Sequence, residues 1–428
     1  MKHLGLLARA KNMPIRKTHG LVLAPLLLLA LSGAFLAAQG QKPELPRYTV
    51  QDLGTLGGTF SIAGGLSNSG WVEGWSLVSG DTARHPVLWR RGVMTDLGTL
   101  GGPNADAGYR SSDSGNVGGA SETGAPDPFA ENFCGYGTNL ICLPIVWWND
   151  GKKMTRLPTL GGNNGWAASI NDQNEVVGVA ENTTQEPTCA GASNVFQFKP
   201  VMWAEGRIHQ LPTFPGDPVG MAWGINYWGQ ATGYSGNCTT SLHALLWQDG
   251  KVIDLGNLGG KMNNAGVDIN NLGQVVGISD LPGDTTGHAF LWQRRTGMMD
   301  LGTLPGDVGS DGDGINDLGQ VVGGSWDAEG NDRAYLWQNG VMTDLNTLIP
   351  PDSPLYLIEA TGTINDLGQI AGIALQISTG EVHAFLATPT ARHWEILEKP
   401  KVVLPETVRK LLQQRRGNHF GHELTGPQ

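Results

Sequence analysis

The sequence predicts an all-β fold: a seven-bladed β-propeller of four-stranded blades, with the ring closed by the N-terminal strand completing the last blade. Three observations support this prediction. A three-part motif recurs seven times, each copy offers four short strand candidates within 44 to 60 residues, and one part of the motif is displaced to the start of the chain. Four strands in a repeat of this length are typical of propeller blades.

The motif is clearest in residues 307 to 350. A turn segment, Gly-Ile-Asn-Asp-Leu-Gly-Gln-Val-Val-Gly (314 to 323), precedes the apolar segment 333 to 337 and then the segment 341 to 345. Between the last two, the pair Asn339-Gly340 favours the type I′ hairpin turn that matches strand twist. In six copies the apolar segment ends in a tryptophan, which we interpret as core packing: Trp89, Trp147, Trp203, Trp247, Trp292 and Trp337.

The third segment, of the type Asp-Leu-Gly-Thr-Leu-Gly-Gly, relates the two ends of the chain. Its copies begin at Asp52, Asp96, Arg156, Gln210, Asp254, Asp300 and Asp344. The first copy precedes every other part of the motif, whereas the seventh repeat stops at Ala387 without one. The N-terminal copy can therefore supply the missing strand of a closed ring. A stacked β-solenoid is the alternative architecture, but it gives the displaced copy no role.

The N-terminal segment predicts export. Residues 1 to 38 carry five basic and no acidic side chains, and the apolar run 21 to 36 ends near a small-residue cleavage site at Ala38. We expect a signal peptide (1–38), a linker (39–47), the propeller (48–388) and a basic tail with a short amphipathic helix (389–428). The mature chain would be secreted, periplasmic or on the cell surface, with no membrane span; retention of the signal as an anchor is the alternative.

Charge limits the partners of the exported chain. Loss of the five positive charges in residues 1 to 38 changes the formal net charge from −11 to −16. An acidic surface repels phosphate backbones, which argues against nucleic acid. The expected partner is an extracellular glycan or protein, bound by a monomer.

In the tail, Pro405 and Glu406 are typical of a first helical turn. The tail has two interpretations, a solubilising extension or a segment docked on the acidic ring or on an anionic cell surface.

Four cysteines favour disulfides in an oxidising compartment. All of them fall in loops between the second and third strands of their repeats, and three pairings are possible. Cys189 and Cys238 occupy equivalent loops of neighbouring repeats, so we favour that pair together with Cys134 and Cys142. A metal site is not predicted from these cysteines, because no C-x2-C spacing is present.

The joint motif also supports a family resemblance. INDLGQVVG, followed by segments of the type HAFLW and DLGTL, resembles the HAF-type extracellular repeat proteins of bacteria, named for the His-Ala-Phe triplet that stands here at 288 to 290 and 383 to 385. The resemblance covers residues 48 to 388. It implies export and a propeller-like repeat fold, and it transfers no catalytic residue because the family has no established activity. The first two repeats depart from the pattern, with LSNSG and SSDSG in place of INDLG.

Few side chains indicate chemistry. No G-x-S-x-G elbow is present, and we predict no catalytic residue. A histidine recurs at one repeat position, and we interpret it as a hydrogen-bonding group at strand entry rather than a metal ligand: His85, His243, His288 and His383. Asp307, Asp311 and Asp313 partly match a Ca²⁺-binding loop, with ordinary turns as the alternative. No other cofactor is expected.

Four aromatic residues outside the repeated tryptophan position are candidate ligand contacts. We predict that Tyr109, Trp166 and Trp223 lie at or near the start of the innermost strands of the second to fourth repeats, and that Trp326 follows the second strand of the sixth. These side chains either bind ligand or fill the hub and hold the insertions in place. The predicted function is an exported, non-catalytic binding or scaffold propeller, with saccharide as the first ligand class to test. The alternatives are a polysaccharide-acting hydrolase or lyase that uses acidic residues at the central opening, and a purely structural repeat protein.

Overall fold

The computed structural model describes residues 45–110, 112–189, 194–394 and 401–418. The chain divides into two compact regions, residues 1–45 and 46–428. The predicted signal peptide lies outside the described residues, and every element named below belongs to the second region. Strands account for 54 % of the residues and helices for 5 %, which confirms the all-β prediction.

Each sequence repeat contains four strands, and we number the repeats as units 1 to 7. Units 1 to 3 comprise β2 (Gly57–Leu66), β3 (Val72–Val78), β4 (Arg84–Arg90), β5 (Val93–Asp96); β6 (Gly101–Ala107), β7 (Val117–Pro126), β8 (Leu140–Trp148), β9 (Lys153–Arg156); β10 (Gly165–Ile170), β11 (Val176–Gln185), β12 (Phe196–Ala204) and β13 (Arg207–Gln210). Units 4 to 6 comprise β14 (Val219–Ile225), β15 (Ala231–Asn237), β16 (Thr240–Gln248), β17 (Lys251–Asp254); β18 (Asn264–Ile269), β19 (Val275–Asp280), β20 (Gly287–Gln293), β21 (Gly297–Asp300); β22 (Gly309–Ile315), β23 (Val321–Trp326), β24 (Asp332–Gln338) and β25 (Val341–Asp344). Unit 7 comprises β26 (Leu355–Glu359), β27 (Ile370–Gln376), β28 (Val382–Thr390) and β1 (Arg47–Gly54).

These strands form five four-stranded sheets and one eight-stranded sheet, which joins units 7 and 1. Within each unit the neighbouring strands are antiparallel. The backbone strand pairing between units 7 and 1 is a single parallel pair, Phe60 with Val382. Three short 3-10 helices lie in connections between strands: Ser79–Asp81, Pro187–Cys189 and Leu345–Thr347. The predicted four-stranded sheets are therefore present.

The N-terminal strand β1 pairs with the last strand, β28, and not with the strand that follows it in sequence. The antiparallel register runs from Arg47 opposite Thr390 to Asp52 opposite Phe385. Beside it, His383 Nδ1 lies 2.9 Å from Asp52 Oδ1. The hydrogen bond to the Asp52 carboxylate raises the pKa of His383. Strand β1 is thus the fourth strand of unit 7, where the displaced motif predicts it.

The turn between the first and second strands of a unit also ties that unit to the next one. In unit 6, Asn316 Oδ1 accepts hydrogen bonds from the backbone N–H groups of Leu318 and Gln320, and Asn316 Nδ2 donates to the carbonyl oxygen of Asn365 in unit 7 at 3.1 Å. The same inter-unit bond recurs from Asn171 to Asn226, Asn226 to Asn270, Asn270 to Asn316 and Asn365 to Ser67. The motif asparagine therefore closes its own turn and joins adjacent units.

The six repeated tryptophans are core residues, as predicted: each is at most 9 % exposed. Three of them donate an indole N–H to a carbonyl in the segment before their own unit, from Trp89 to Leu53, Trp203 to Pro158 and Trp247 to Pro212, at 2.7 to 2.9 Å. The six large side chains fill the contact between units, and the three bonds satisfy the polar atom of the Trp89, Trp203 and Trp247 rings.

The basic tail folds back onto the sheets. Helix α1 (Glu406–Asn418) and the residues before it pack Leu404, Leu411 and Leu412 against a buried cluster that contains Trp75 and Tyr356. Lys401 Nζ bonds to Asp307 Oδ1 at 2.9 Å and Asp327 Oδ2 at 2.8 Å. The docked interpretation of the tail agrees with these contacts, and the free solubilising extension does not. No described helix has the length and apolar content of a membrane span.

Candidate functional site

The first strands of neighbouring units, such as β10, β14, β18 and β22, lie side by side, and we call the region that the first strands share the channel. Register shifts interrupt these strands near their middle, for example between Ala222 and Gly224 and between Gly312 and Gly314. A bulge of this kind re-aims the extra residue. The loops between second and third strands mark one end of the channel, the insertion end, and the asparagine turns mark the other, the turn end.

The predicted aromatic residues come together at the insertion end. The ring of Tyr109 lies 5.3 Å from that of Trp166 and 5.9 Å from that of Trp223. Trp326 belongs to the same apolar cluster. Trp223 and Trp326 are 3 % and 9 % exposed, so they fill the hub as the alternative interpretation expects, whereas Tyr109 and Trp166 are half-buried. A ligand-contact role stays a prediction for all four.

Tyr109 and Trp166 line a cavity together with Trp75, Asp106 and Thr361. The cavity is a narrow cleft with a volume of about 30 Å³, and it is partly open to solvent. Three aromatic rings and two polar side chains therefore share one wall. Sequence reasoning missed Trp75 and Asp106, because each occupies a position where most other units carry an apolar or small residue.

Asp106 is held by a buried arginine. Arg84 Nη1 bonds to Asp106 Oδ2 at 2.9 Å, and the Arg84 guanidinium lies 4.0 Å above the Trp75 ring. Burial raises the pKa of the Asp106 carboxyl, while Arg84 and a hydrogen bond from Tyr136 oppose that rise. The cavity wall is thus rigid and carries a polar group that is already oriented.

A buried acidic triad lies on units 6 and 7. One carboxylate oxygen from each of Asp311, Asp313 and Glu359 lies within 4.8 Å of the other two, close enough for all three to hold one metal ion. Asp311 Oδ1 also accepts a hydrogen bond from the backbone N–H of Gly324 at 2.9 Å. Glu359 was not among the predicted ligands, since it lies in another repeat.

Asp307, the third predicted calcium ligand, does not join this triad, and its prediction is wrong. Its carboxylate binds Arg333 Nη2 and Lys401 Nζ, each at 2.9 Å, and accepts a hydrogen bond from Ser325 Oγ. Asp307 precedes strand β22, whereas Asp311 and Asp313 lie within it, so closeness in sequence did not bring the three carboxylates together.

The repeated histidines are hydrogen-bonding groups, as interpreted from the sequence. Each places Nδ1 2.7 to 2.9 Å from an aspartate carboxylate: His85 with Asp96, His243 with Asp217, His288 with Asp300 and His383 with Asp52. Three of these partners are the aspartate of the third motif segment. The pairs join adjacent strand segments in four different units, which accounts for the recurrence of both residue types.

The insertions of units 2 and 3 are tied together at the insertion end. Disulfides join Cys134 to Cys142 and Cys189 to Cys238, the pairing favoured by loop position. Two disulfides indicate an oxidising, extracellular compartment.

Beneath the loops, Asn164 Nδ2 donates to Asp127, Glu131 and Glu181. Burial, and secondly the charge of Glu131, raise the pKa of Glu181 to about 9.

At the turn end an ion pair joins unit 2 to unit 5. Arg110 Nη1 of unit 2 lies 3.3 Å from Asp268 Oδ1 of unit 5 and 3.3 Å from the Ile269 carbonyl oxygen. Asp268 Oδ2 also accepts a hydrogen bond from the Ile315 N–H at 3.0 Å. Beside Arg110 lies a second cavity, of about 60 Å³, which Tyr227 also lines. A lone arginine before a turn gives no motif, so sequence reasoning missed this pair.

Comparisons with known proteins show similarity of fold alone. No protein-family model and no curated protein matches the chain, so membership of the HAF-type proteins stays a prediction. Among solved structures, the chain is similar to the β-propeller domain of the trilobed protease from Pyrococcus furiosus (8 % identity, 83 % of this chain and 100 % of that chain, TM-score 0.42). It is also similar to an oligogalacturonate lyase in complex with manganese (13 % identity, 80 % and 93 %, TM-score 0.49). At these levels no functional residue carries over.

Proposed function

We propose that the protein is an exported, non-catalytic saccharide-binding propeller, closed as a ring of seven blades, with its ligand at the insertion-end cavity. Two features support the ring. Strand β1 completes unit 7, and the inter-unit hydrogen bonds of the turns continue from unit 7 into unit 1, from Asn365 Nδ2 to the Ser67 carbonyl oxygen at 3.0 Å. The two disulfides and the predicted signal peptide support export.

The observation that carries the binding proposal is the composition of the cavity wall. The half-buried side chains of Tyr109 and Trp166 present aromatic rings beside the carboxylate of Asp106 and the hydroxyl of Thr361. Flat rings pack against the C–H faces of sugars, while a few fixed polar groups bond to sugar hydroxyls. A protein ligand would bury a larger, flatter surface than a cavity of this size offers.

Glycan-array binding by the purified mature protein tests this proposal. We expect Trp166→Ala to weaken binding about tenfold with little change in Tm, because Trp166 is only half-buried. Trp326→Ala is the matched packing control: it should lower Tm and leave the affinity of the folded fraction unchanged. Unchanged glycan binding in Trp166→Ala would exclude the cavity as the site.

The acidic triad supports a second proposal, Ca²⁺ binding by Asp311, Asp313 and Glu359. Carboxylate oxygens are the ligands that Ca²⁺ prefers. Calcium should raise the Tm of the wild-type protein and leave that of Asp313→Asn unchanged, whereas Asp113→Asn, which lies outside the triad, should respond as the wild type does. A calcium response that survives in Asp313→Asn would rule out the triad.

The same triad is the observation that favours an enzyme as the alternative function. Buried carboxyl groups on the channel wall could serve acid–base chemistry on a polysaccharide. Turnover of a polysaccharide that is abolished by Asp311→Asn, with Tm preserved, would establish the hydrolase or lyase. A stable fold with neither glycan binding nor turnover would leave the purely structural repeat protein.

A further inference from the structure

Two exposed aromatic side chains lie together at the turn end, opposite the predicted ligand face. Trp228 is 68 % exposed and Tyr227 is 48 % exposed, and their rings contact edge to face at 5.0 Å. Trp228 Nε1 donates to the carbonyl oxygen of Asn271 at 3.2 Å, which holds the indole on the neighbouring turn. A fixed aromatic face is therefore presented to solvent at unit 4.

A groove begins beside this aromatic pair. Leu272, which follows Asn271, lines it together with Gln230 and Gln274 from the turns of units 4 and 5 and Gln248 and Gln293 from the adjacent hairpins. The groove has a volume of about 390 Å³, which is within the size range of ligand clefts.

The groove is rich in oriented donors. The motif asparagines donate to the Oε1 atoms of Gln230 and Gln274 at 2.7 Å, which fixes the orientation of both amides. Arg294 Nη2 donates to Gln248 Oε1 at 2.7 Å, and Arg295 lies beside it on the hairpin of unit 5. Side chains held in this way lose little freedom when a ligand binds.

The charge of the groove differs from that of the chain. Its lining contains two arginines and no acidic residue, whereas the whole chain has a formal net charge of −11. The groove is therefore complementary to an anion, and the adjoining aromatic face suits a sugar ring. We propose that this turn-end groove binds an anionic saccharide chain, with Trp228 stacking on a sugar and Arg294 and Arg295 pairing with its carboxylates.

Calorimetry on the mature protein measures the binding of two probes. One is alginate oligosaccharides, which are linear polyuronates, and the other is neutral dextran oligosaccharides. We expect alginate to bind, dextran not to bind, and added salt to weaken the alginate affinity. Trp228→Leu should weaken binding about tenfold with Tm unchanged, because units 5 to 7 carry an exposed leucine at the same turn position: Leu272, Leu318 and Leu367.

A second set of variants tests the two arginines against a matched pair of lysines. Arg294→Ala with Arg295→Ala should remove most alginate affinity and its salt dependence, whereas Lys152→Ala with Lys153→Ala, on the equivalent hairpin of unit 2, should change neither. Trp166→Ala should also leave alginate binding unchanged, so this site and the insertion-end cavity are judged separately.

Three results would overturn the proposal. Alginate affinity at the wild-type level in Trp228→Leu would show that Trp228 does not contact the saccharide. Equal affinity for dextran and alginate would show that charge does not select the ligand. Self-association that is lost in Trp228→Leu, with no alginate binding, would assign the surface to a second copy of the chain.

Discussion

The insertion end of the channel is covered in two different ways. Over units 2 and 3 the loops are long, and two disulfides and the carboxyl groups around Asn164 cross-link the loops of units 2 to 4. Over units 6, 7 and 1 the loops are short, and the distant segment 401 to 418 covers them through apolar packing and the Lys401 ion pairs. The repeat fixes the turn end through its asparagines and leaves the insertion end free to vary.

The largest expected effect is loss of the disulfide between units 3 and 4. Replacing Cys189 and Cys238 by serine should lower the free energy of unfolding by about 4 kcal/mol, because this bond closes a long loop of 49 residues. Replacing Cys134 and Cys142, which are only 8 residues apart, should cost about 2 kcal/mol. Guanidinium unfolding of both double variants measures the difference, and the reverse order would show that loop entropy does not govern this covering.

Shortening a buried side chain of the tail helix tests the apolar covering. Leu412 is 1 % exposed, so Leu412→Ala should cost about 3 kcal/mol of docking free energy. Hydrogen exchange should accelerate in α1 and stay unchanged in the sheets. Lys410→Ala, on an exposed position of the same helix, is the control. Equal acceleration in both variants would mean that apolar burial does not hold the tail.

The carboxyl pair beneath the insertions should make stability depend on pH. The pKa of Glu181 is about 9 in the folded protein, against an unperturbed value of 4.5. The folded state therefore retains a proton that the unfolded state loses, and stability falls as pH rises from 4.5 to 9. In Glu181→Gln the loss of stability between pH 5 and pH 8 should be smaller by a few kcal/mol, because each pH unit between the two pKa values contributes about 1.4 kcal/mol.

Thermal unfolding at the two pH values measures this effect. Glu186→Gln is the control, because the pKa of Glu186 is lowered by hydrogen bonds from Thr188 and Gln197 that outweigh its partial burial. An unchanged pH dependence in Glu181→Gln would mean that Glu181 is ionised in the folded protein.

The smallest effect concerns the ion pairs of the tail. Burial raises the pKa of Asp327, but hydrogen bonds from Lys401 and Asn331 outweigh it and lower the value to about 2. This stabilisation is present above about pH 3.8 and is lost as pH falls through the folded pKa. Lys401→Met should cost below about 1 kcal/mol at pH 6 and less at pH 3, as measured by Tm. A larger cost at pH 3 would contradict this assignment.

Several elements were predictable because they recur. The tryptophan, the histidine and the asparagine turn each recur at one repeat position, in six, four and five of the seven copies, so their roles in packing and hydrogen bonding follow from one unit. The pairing of β1 with β28 was predictable because the first copy of the third segment is displaced to the start of the chain. Candidate sites were less predictable, since Trp75, Asp106, Arg110 and Glu359 each interrupt the repeat once and carry no periodic signal.

The sequence by itself determined the strands, the four-stranded units, the place of β1 and the structural role of the repeated side chains, because all of these depend on local pairing that every repeat restates. The tertiary structure decided which non-repeated groups meet. It placed Glu359 beside Asp311, joined Arg110 to Asp268 and left Trp228 exposed while burying Trp223. These outcomes depend on contacts between units far apart in the chain, and no local pattern encodes them.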